Sequence, residues 1–356
     1  MFFAGIVLLV AGAEVLVRGA TGLAASLGIS PVVIGLTVVA FGTSSPETAV
    51  TVQSAFSGNA DIALGNVVGS NILNVLFVLG VSATILPLAV SKRLVRLDVP
   101  LLIAASFLLL LLGLDGEIGR LDGLLLFTGV VAYTVFALIQ NRRENSAAGD
   151  DEESNAGGSG WLDSRLVQLL LIALGLALLV FGSRWLVGGA VEIATALGVS
   201  ELVIGLTVVA FGTSAPEVAT SLAAAARGER DMAVGNAIGS CIFNILAVLG
   251  ISSLVAPNGI PVPPAAIGFD IPVMIATAIA CLPIFFTGSR IARREGLLFL
   301  GYYVAYTTYL LLNSTGHEAL PAYSFVMLAF VIPLTAITLL TLAARSLQRR
   351  RKRRKR

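Results

Sequence analysis

Two glutamates in this chain stand directly after prolines inside long apolar segments. Glu47 ends the stretch VIGLTVVAFGTSSPE at residues 33–47, and Glu217 ends VIGLTVVAFGTSAPE at residues 203–217. An ionisable side chain inside a membrane-spanning segment costs on the order of 3 kcal/mol and is therefore rare outside functional sites. Because both glutamates recur in the same context of hydroxyl groups and proline, we predict that they are functional rather than structural.

Two hydroxyl groups precede each glutamate at helical spacing. Thr43 and Ser44 lie four and three residues before Glu47, so an unbroken helix would place all three side chains on one face. The second copy repeats this arrangement with Thr213, Ser214 and Glu217.

A proline follows each pair of hydroxyl groups. Pro46 and Pro216 have no backbone N–H, and their rings crowd the carbonyl group four residues earlier. The helix is expected to kink there, which leaves carbonyl groups near Ala40 and Ala210 free to face a ligand.

A second shared stretch follows each glutamate, LGNVVGSNILNVLFVLG at residues 64–80 and VGNAIGSCIFNILAVLG at residues 234–250. Within it an asparagine, a serine and a second asparagine recur every four residues and form one polar stripe on a helix. The stripe consists of Asn66, Ser70 and Asn74 in the first copy and of Asn236, Ser240 and Asn244 in the second. The first asparagine of each stripe fits either helix packing or support of the ligands from behind. Carboxylate, amide, hydroxyl and carbonyl oxygens without histidine or thiolate suit hard cations such as Na⁺ and Ca²⁺.

The composition places these motifs in an integral membrane protein. Hydrophobic residues make up 56% of the chain and charged residues only 12%, and the mean hydropathy is +0.93, which excludes an ordinary soluble domain. Apolar runs long enough to cross a bilayer predict eleven helical spans. They lie at residues 2–25, 31–56, 62–88, 97–114, 121–140, 166–187, 201–226, 232–256, 268–287, 296–312 and 320–344. The predicted fold class is an all-α integral membrane protein.

Lysine and arginine residues are distributed unevenly between the two ends of these spans. Of the 23 basic residues, 21 fall on one side and two, Arg120 and Arg184, on the other. Cytoplasmic loops are enriched in basic residues. We therefore expect a multi-pass protein of the plasma membrane with its N-terminus outside and its C-terminus in the cytoplasm.

The motif copies belong to a longer internal repeat. Residues 1–140 hold the first five spans, with the motif at 33–80, and residues 166–312 hold the next five, with the motif at 203–250. Five spans, an odd number, separate the starts of the copies, so the second copy enters the membrane in the opposite direction. Inverted repeats of this kind are typical of secondary transporters.

Two segments fall outside the repeats. Residues 141–165 are polar and rich in Gly and Ser, and we predict a flexible cytoplasmic linker. Residues 313–356 contain the eleventh span and a basic tail. In a membrane protein, contact of this tail with anionic lipids is favoured over nucleic-acid binding.

The paired motifs GTSSPE and GTSAPE, with GNVVGSNILN and GNAIGSCIFN, resemble the two α-repeats of the cation/calcium exchanger superfamily, in particular its prokaryotic sodium/calcium exchanger branch. The resemblance covers residues 1–312. It implies a ten-helix core of two inverted five-helix repeats that exchanges Na⁺ for Ca²⁺ by alternating access, gated by sliding of the first and sixth spans. It implies no enzymatic activity and no cofactor besides the transported ions. By motif position the implied cation ligands are Glu47, Glu217, Asn74, Asn244, Thr43, Ser44, Thr213, Ser214, Ser70, Ser240 and the carbonyl groups of Ala40 and Ala210.

Some prokaryotic members carry an aspartate at one of the positions of Asn74 and Asn244, whereas this chain has asparagine at both. Two carboxylates balance one Ca²⁺ or two Na⁺ but leave a third Na⁺ uncompensated, so the stoichiometry stays open. Proton-coupled Ca²⁺ exchange is the nearest alternative, because a close pair of carboxylates can take up a proton. A cation channel does not need an inverted repeat of broken helices. A hydrolase is disfavoured because the single histidine, His317, lies in a predicted external loop.

Overall fold

Helices form almost all of the described chain. The computed structural model describes residues 1–56, 60–147, 164–197, 210–286, 290–338 and 341. The first part of the second motif, most of the predicted linker and the basic tail lie outside these residues.

The first repeat contains six helices, two of which form one broken span. These are α1 (Phe2–Leu27), α2 (Val32–Thr43), α3 (Ser45–Phe56), α4 (Ile62–Ile85), α5 (Leu94–Asp115) and α6 (Arg120–Ala147). The second repeat follows the same order with α7 (Arg165–Ala196), α8 (Ala210–Thr213), α9 (Ala215–Ala226), α10 (Arg230–Val255), α11 (Ala266–Phe285) and α12 (Arg293–Ser314). A further helix, α13 (Leu320–Thr338), follows the second repeat.

The helices confirm a multi-pass membrane protein. Eight of those in the described residues are long and apolar enough to cross a membrane, and α2 with α3, bent by 46°, form a ninth candidate. The boundaries differ from the prediction mainly at α6 and α7. The former continues to Ala147, into the segment predicted to be a linker, and the latter to Ala196.

Two short antiparallel ribbons show how the repeats are related. Strand β1 (Leu88–Ala89) pairs with β4 (Arg290–Ile291), and β2 (Glu117–Ile118) pairs with β3 (Ile260–Pro261). Each ribbon joins the loop after the third span of one repeat to the loop after the fourth span of the other. These two loops lie on opposite membrane faces within one repeat, so they meet only if the repeats run in opposite directions. The ribbons therefore confirm the inverted arrangement.

A matching tyrosine–aspartate contact ties the last two helices of each repeat. The Tyr133 hydroxyl donates to Asp98 Oδ1 at 3.2 Å in the first repeat, and the Tyr306 hydroxyl donates to Asp270 Oδ1 at 3.1 Å in the second. Among the described residues, only the first copy adds a cation, since Arg93 Nε lies 3.6 Å from Asp98 Oδ2. The two aspartates are thus held between helices in the same way.

Helices α1 and α7 pack antiparallel along their length. A methyl group at Gly12 would lie 2.9 Å from the Gly175 carbonyl oxygen, and one at Gly182 would lie 2.8 Å from the Leu9 amide nitrogen. The absence of a side chain at these positions lets the two backbones touch, as in other closely packed membrane helices. The first helices of the two repeats therefore form one close pair.

A charged cluster joins this helix pair to the end of α9. The Glu14 carboxylate accepts hydrogen bonds from Arg18 on its own helix and from Arg227, whose Nε lies 2.7 Å from Glu14 Oε2. Arg18 and Arg227 therefore lie on the same side of the bundle, as the distribution of basic residues predicted.

Helix α10 lies at the centre of the bundle. Every residue from Met232 to Phe243 is buried. The polar stripe on this helix is therefore shielded from lipid on all sides, which matters for the site described next.

Candidate cation site

Each repeat is interrupted at one serine just before its glutamate. Ser44 separates α2 from α3 with φ −78° and ψ 9°, and Ser214 separates α8 from α9 with φ −91° and ψ 8°. Pro46 and Pro216 lie in the first turn after the interruption, where a missing N–H is tolerated. The predicted kink is therefore confirmed, and each hinge is the serine two residues before the proline, Ser44 or Ser214.

The interruption leaves backbone acceptors that other groups take up. The Ser183 hydroxyl on α7 donates to the Gly212 carbonyl oxygen. Pro216, four residues later, has no N–H to donate to that oxygen. The Ala40 carbonyl oxygen accepts from the Ser44 N–H at 3.0 Å and is thus not free of backbone bonding. It retains a second lone pair for a cation.

The two glutamates are fully buried and lie in the first turns of α3 and α9. Such positions favour negative charge, because the N–H groups of a helix N-terminus carry partial positive charge. Both carboxylates are therefore placed where a helix end offsets part of the cost of burying them.

Each glutamate is held by a hydroxyl from the other repeat. Ser214 Oγ donates to Glu47 Oε1 at 2.9 Å, and Ser44 Oγ donates to Glu217 Oε1 at 3.2 Å. An unbroken helix would have placed Ser44 beside Glu47, so the predicted shared face is wrong. The bend at the serine turns its side chain across the pseudo-twofold axis and interlocks the two repeats.

The serines of the polar stripes join this network. Ser214 also lies 3.2 Å from Ser70 Oγ on α4, and Ser240 Oγ on α10 donates to Glu217 Oε1 at 3.5 Å. The structure thus brings both carboxylates and four of the predicted hydroxyl ligands into one cluster between α3, α4, α9 and α10.

Several side-chain atoms of the predicted ligands have no hydrogen-bond partner among the described residues. They are Glu47 Oε2, Glu217 Oε2 and the amide atoms of Asn74 and Asn244, all of them buried. Buried polar groups are rarely left unpaired unless an ion or water completes them. Carboxylate and amide oxygens without histidine or thiolate suit Ca²⁺ and Na⁺, which are the cargo here rather than a resident cofactor.

Local helix geometry marks the same two asparagines. A π-helical turn begins at Asn74 and spans Asn74–Val78, and a second begins at Asn244 and spans Asn244–Val248. Single π-helical turns inside α-helices occur frequently at functional sites. Here they widen α4 and α10 at the level of the unpaired amides.

The remaining predicted ligands, Thr43, Thr213 and Ala210, lie on α2 and α8. Thr43 is buried at the end of α2, and its hydroxyl lies 3.2 Å from Asn236 Oδ1. Thr213 ends α8 and is partly exposed, and Ala210 begins that helix. Ser183 was not predicted as a contributor, and the alignment of Ser183 with Ala13 gave no signal for it.

Comparison with known proteins relates this chain and its fold to one family. A model of the family described as sodium/calcium exchanger protein matches residues 1–139 and 167–312. The sodium/calcium exchanger MaX1 of Methanosarcina acetivorans is 32% identical over 85% of this chain and 95% of its own length. The inner membrane protein YrbG of Escherichia coli is 35% identical over 78% of this chain and 86% of its own length.

Solved structures give the same result. A structure of the sodium–calcium exchanger NCX_Mj superposes with a TM-score of 0.72 at 33% identity, covering 85% of this chain and 95% of the other. The family model does not cover the last part of this chain, since it ends at residue 312. The chain belongs to the sodium/calcium exchanger family.

Proposed function

We propose that this protein is a secondary transporter that exchanges Na⁺ for Ca²⁺ across the membrane by alternating access. One observation carries the proposal: the repeats interlock two buried glutamates whose Oε2 atoms, like the side-chain amides of Asn74 and Asn244, are buried without a hydrogen-bond partner among the described residues. The two carboxylates would replace the hydration shell of one Ca²⁺ in one half of the cycle and that of Na⁺ ions in the other. The resemblance to MaX1 and NCX_Mj supports the same pair of ions.

The ligands we propose are those that the motifs predicted. Glu47 and Glu217 supply the charge and are shared between ions, and the asparagine amides line the central position. The hydroxyl groups and the carbonyl oxygens of Ala40 and Ala210 complete the neutral ligands. The hydroxyl ligands are Thr43, Ser44, Ser70, Thr213, Ser214 and Ser240.

The domain organisation follows from the repeats. We propose residues 1–140 and 166–312 as the two halves between which the site opens alternately to either side. Residues 141–165 would connect them in the cytoplasm. The close pair of α1 and α7 spans both halves and is the candidate for the moving part.

Uptake of radioactive Ca²⁺ into proteoliposomes tests the coupling ion. Vesicles loaded with Na⁺ should accumulate Ca²⁺ when diluted into Na⁺-free buffer, while vesicles loaded with K⁺ should not. Accumulation driven by a proton gradient alone would establish the proton-coupled alternative. Uptake without any cation on the trans side would identify a channel.

We propose that the protein lies in the plasma membrane with the N-terminus outside and the C-terminus in the cytoplasm. Single cysteines at Ser154 and His317 test this orientation, because Cys241 and Cys281 are both free and buried. In oriented vesicles, Ser154→Cys should react only from the cytoplasmic face and His317→Cys only from outside. The reverse pattern would contradict the orientation.

We further propose that the basic tail contacts anionic lipid headgroups on the cytoplasmic face. Nine of the last twelve residues are lysine or arginine, and α13, which leads to them, buries none of its residues in the bundle. Each basic residue near an anionic surface contributes about 1 kcal/mol. Ending the chain at Ala344 should remove any dependence of exchange on phosphatidylglycerol, and an unchanged dependence would contradict this role.

A further inference from the structure

Asn236 contacts both repeats at the level of the glutamates. Its Nδ2 donates to the Glu217 carbonyl oxygen at 3.4 Å and to Ser221 Oγ at 3.0 Å, and both acceptors lie on α9. Its Oδ1 lies 3.2 Å from Thr43 Oγ1 at the end of α2. The side chain is fully buried, so all of these bonds are shielded from bulk solvent.

These bonds fix the direction of the Thr43 hydroxyl. A carboxamide oxygen only accepts hydrogen bonds, so Thr43 is the donor in this contact. At 3.2 Å the contact is shorter than the 3.4 Å between the same hydroxyl and the Ala40 carbonyl oxygen, so Asn236 is the better-placed acceptor for its single proton. The lone pairs of the Thr43 oxygen are then left for a cation. Because both Nδ2 hydrogens face α9, the amide cannot turn over without losing its other two bonds.

Without Asn236 the Thr43 hydroxyl has another acceptor nearby. The Ala40 carbonyl oxygen lies 3.4 Å from Thr43 Oγ1, within the same helix. Hydroxyl groups readily bond to a carbonyl group three or four residues earlier. A hydroxyl turned that way would aim its lone pairs elsewhere and would occupy a second oxygen that we propose as a ligand.

The equivalent residue of the first repeat provides a comparison within the same molecule. Asn66 Nδ2 donates to the Glu47 carbonyl oxygen at 3.3 Å and to Thr51 Oγ1 at 2.9 Å. In the part of the chain that the structure describes, no side chain of the other repeat donates to Asn66 Oδ1. The anchoring of helix to helix is thus shared, and the contact with a hydroxyl ligand is not.

We infer that Asn236 is a positioning residue for cation binding: it orients the Thr43 hydroxyl toward the cation and links the broken helices of the two repeats. The inference rests on the proposed function, since it concerns the same site. Asn66 performs only the anchoring within its own repeat. Loss of groups that orient metal ligands typically lowers affinity by roughly 10- to 100-fold.

A pair of double-mutant cycles separates orientation from anchoring. Asn236→Ala and Asn66→Ala are each measured alone and combined with Thr43→Val, which removes the hydroxyl group. Alone, Asn236→Ala should raise the apparent KM for Ca²⁺ roughly tenfold. In the Thr43→Val background the same substitution should raise KM much less, because the hydroxyl that Asn236 orients is gone.

The Asn66→Ala variant is the matched control. Its effect on KM should be the same in both backgrounds, because it anchors α3 without touching Thr43. Thr43→Ser, which keeps the hydroxyl, should restore the sensitivity to Asn236→Ala. If alanine at 236 prevents folding, Asn236→Ser retains a polar group that is too short to reach Thr43 and Glu217 together.

Binding is followed in parallel as the shift of the melting temperature with Ca²⁺, which does not require transport. Equal, additive costs for both asparagines would overturn this inference while leaving exchange intact. Wild-type protein that neither binds nor exchanges Ca²⁺ would overturn the proposed function and the inference with it.

Discussion

Replacing either Glu47 or Glu217 with glutamine is expected to abolish Na⁺-driven Ca²⁺ uptake. Each carboxylate supplies half of the charge that the proposed site offers to Ca²⁺, and glutamine keeps its shape while removing that charge. Breaking a buried charge pair costs about 3–5 kcal/mol, which corresponds to a loss of affinity of roughly 100-fold or more. Initial rates of Ca²⁺ uptake into Na⁺-loaded proteoliposomes measure the effect.

The hydrogen bonds of the site explain why these variants should still fold. The Ser214 hydroxyl can donate to a glutamine oxygen at position 47 as it donates to Glu47 Oε1. Removing a buried negative charge also lowers the desolvation cost of the empty protein. Folded glutamine variants that transport at the wild-type rate would place the site elsewhere. Glu117→Gln, at an exposed carboxylate on β2, is the matched control and should leave uptake unchanged.

The sequence alone was sufficient to propose the candidate site, because the motifs that define it are local. A glutamate after a proline in an apolar segment is costly to bury in a membrane. Its recurrence in the same context 170 residues later therefore indicates a function. The spacing of Ser70 and Asn74 on one helix face likewise depends only on helix geometry. The inverted repeat followed from counting spans.

The pairing across the repeats could not be predicted in the same way. Helical spacing assigned Ser44 to Glu47, yet the bend at Ser44 directs its hydroxyl to Glu217. The direction of a side chain at a break depends on backbone dihedral angles that no periodicity encodes. The bond from Ser183 to the Gly212 carbonyl was missed for a related reason, since its donor comes from a different helix.

The hydrogen bonds between the serine of each repeat and the glutamate of the other explain why both halves are needed for one site. Each carboxylate accepts a hydrogen bond from the opposite repeat. Moving one broken helix relative to the other therefore changes the hydrogen-bond partners of both glutamates at once. A transporter requires such a link, since the site must be complete in one state and open in the next. A rigid pair of structural glutamates within one repeat would not provide it.

Acidification is expected to weaken the apparent affinity for Ca²⁺ strongly while leaving the maximal rate nearly unchanged. Glu47 and Glu217 are both fully buried and share one cluster. When the site is empty, two like charges in a desolvated space repel each other, so the pair retains a proton. Ca²⁺ must displace that proton, and lower pH therefore favours the competitor. At saturating Ca²⁺ the proton is displaced and the rate recovers.

The apparent KM for Ca²⁺ in Na⁺-loaded vesicles measures this competition, from about pH 8 to about pH 5.5 with equal buffering on both sides. Displacement of one proton predicts a limiting rise of roughly tenfold in KM per unit of pH. Asn244→Asp adds a third carboxylate beside the pair and should steepen the dependence. The Glu117→Gln control should reproduce the wild-type profile. A KM that stays flat over this range would mean that the two glutamates do not act as an electrostatic pair, and the shared cation site would have to be abandoned.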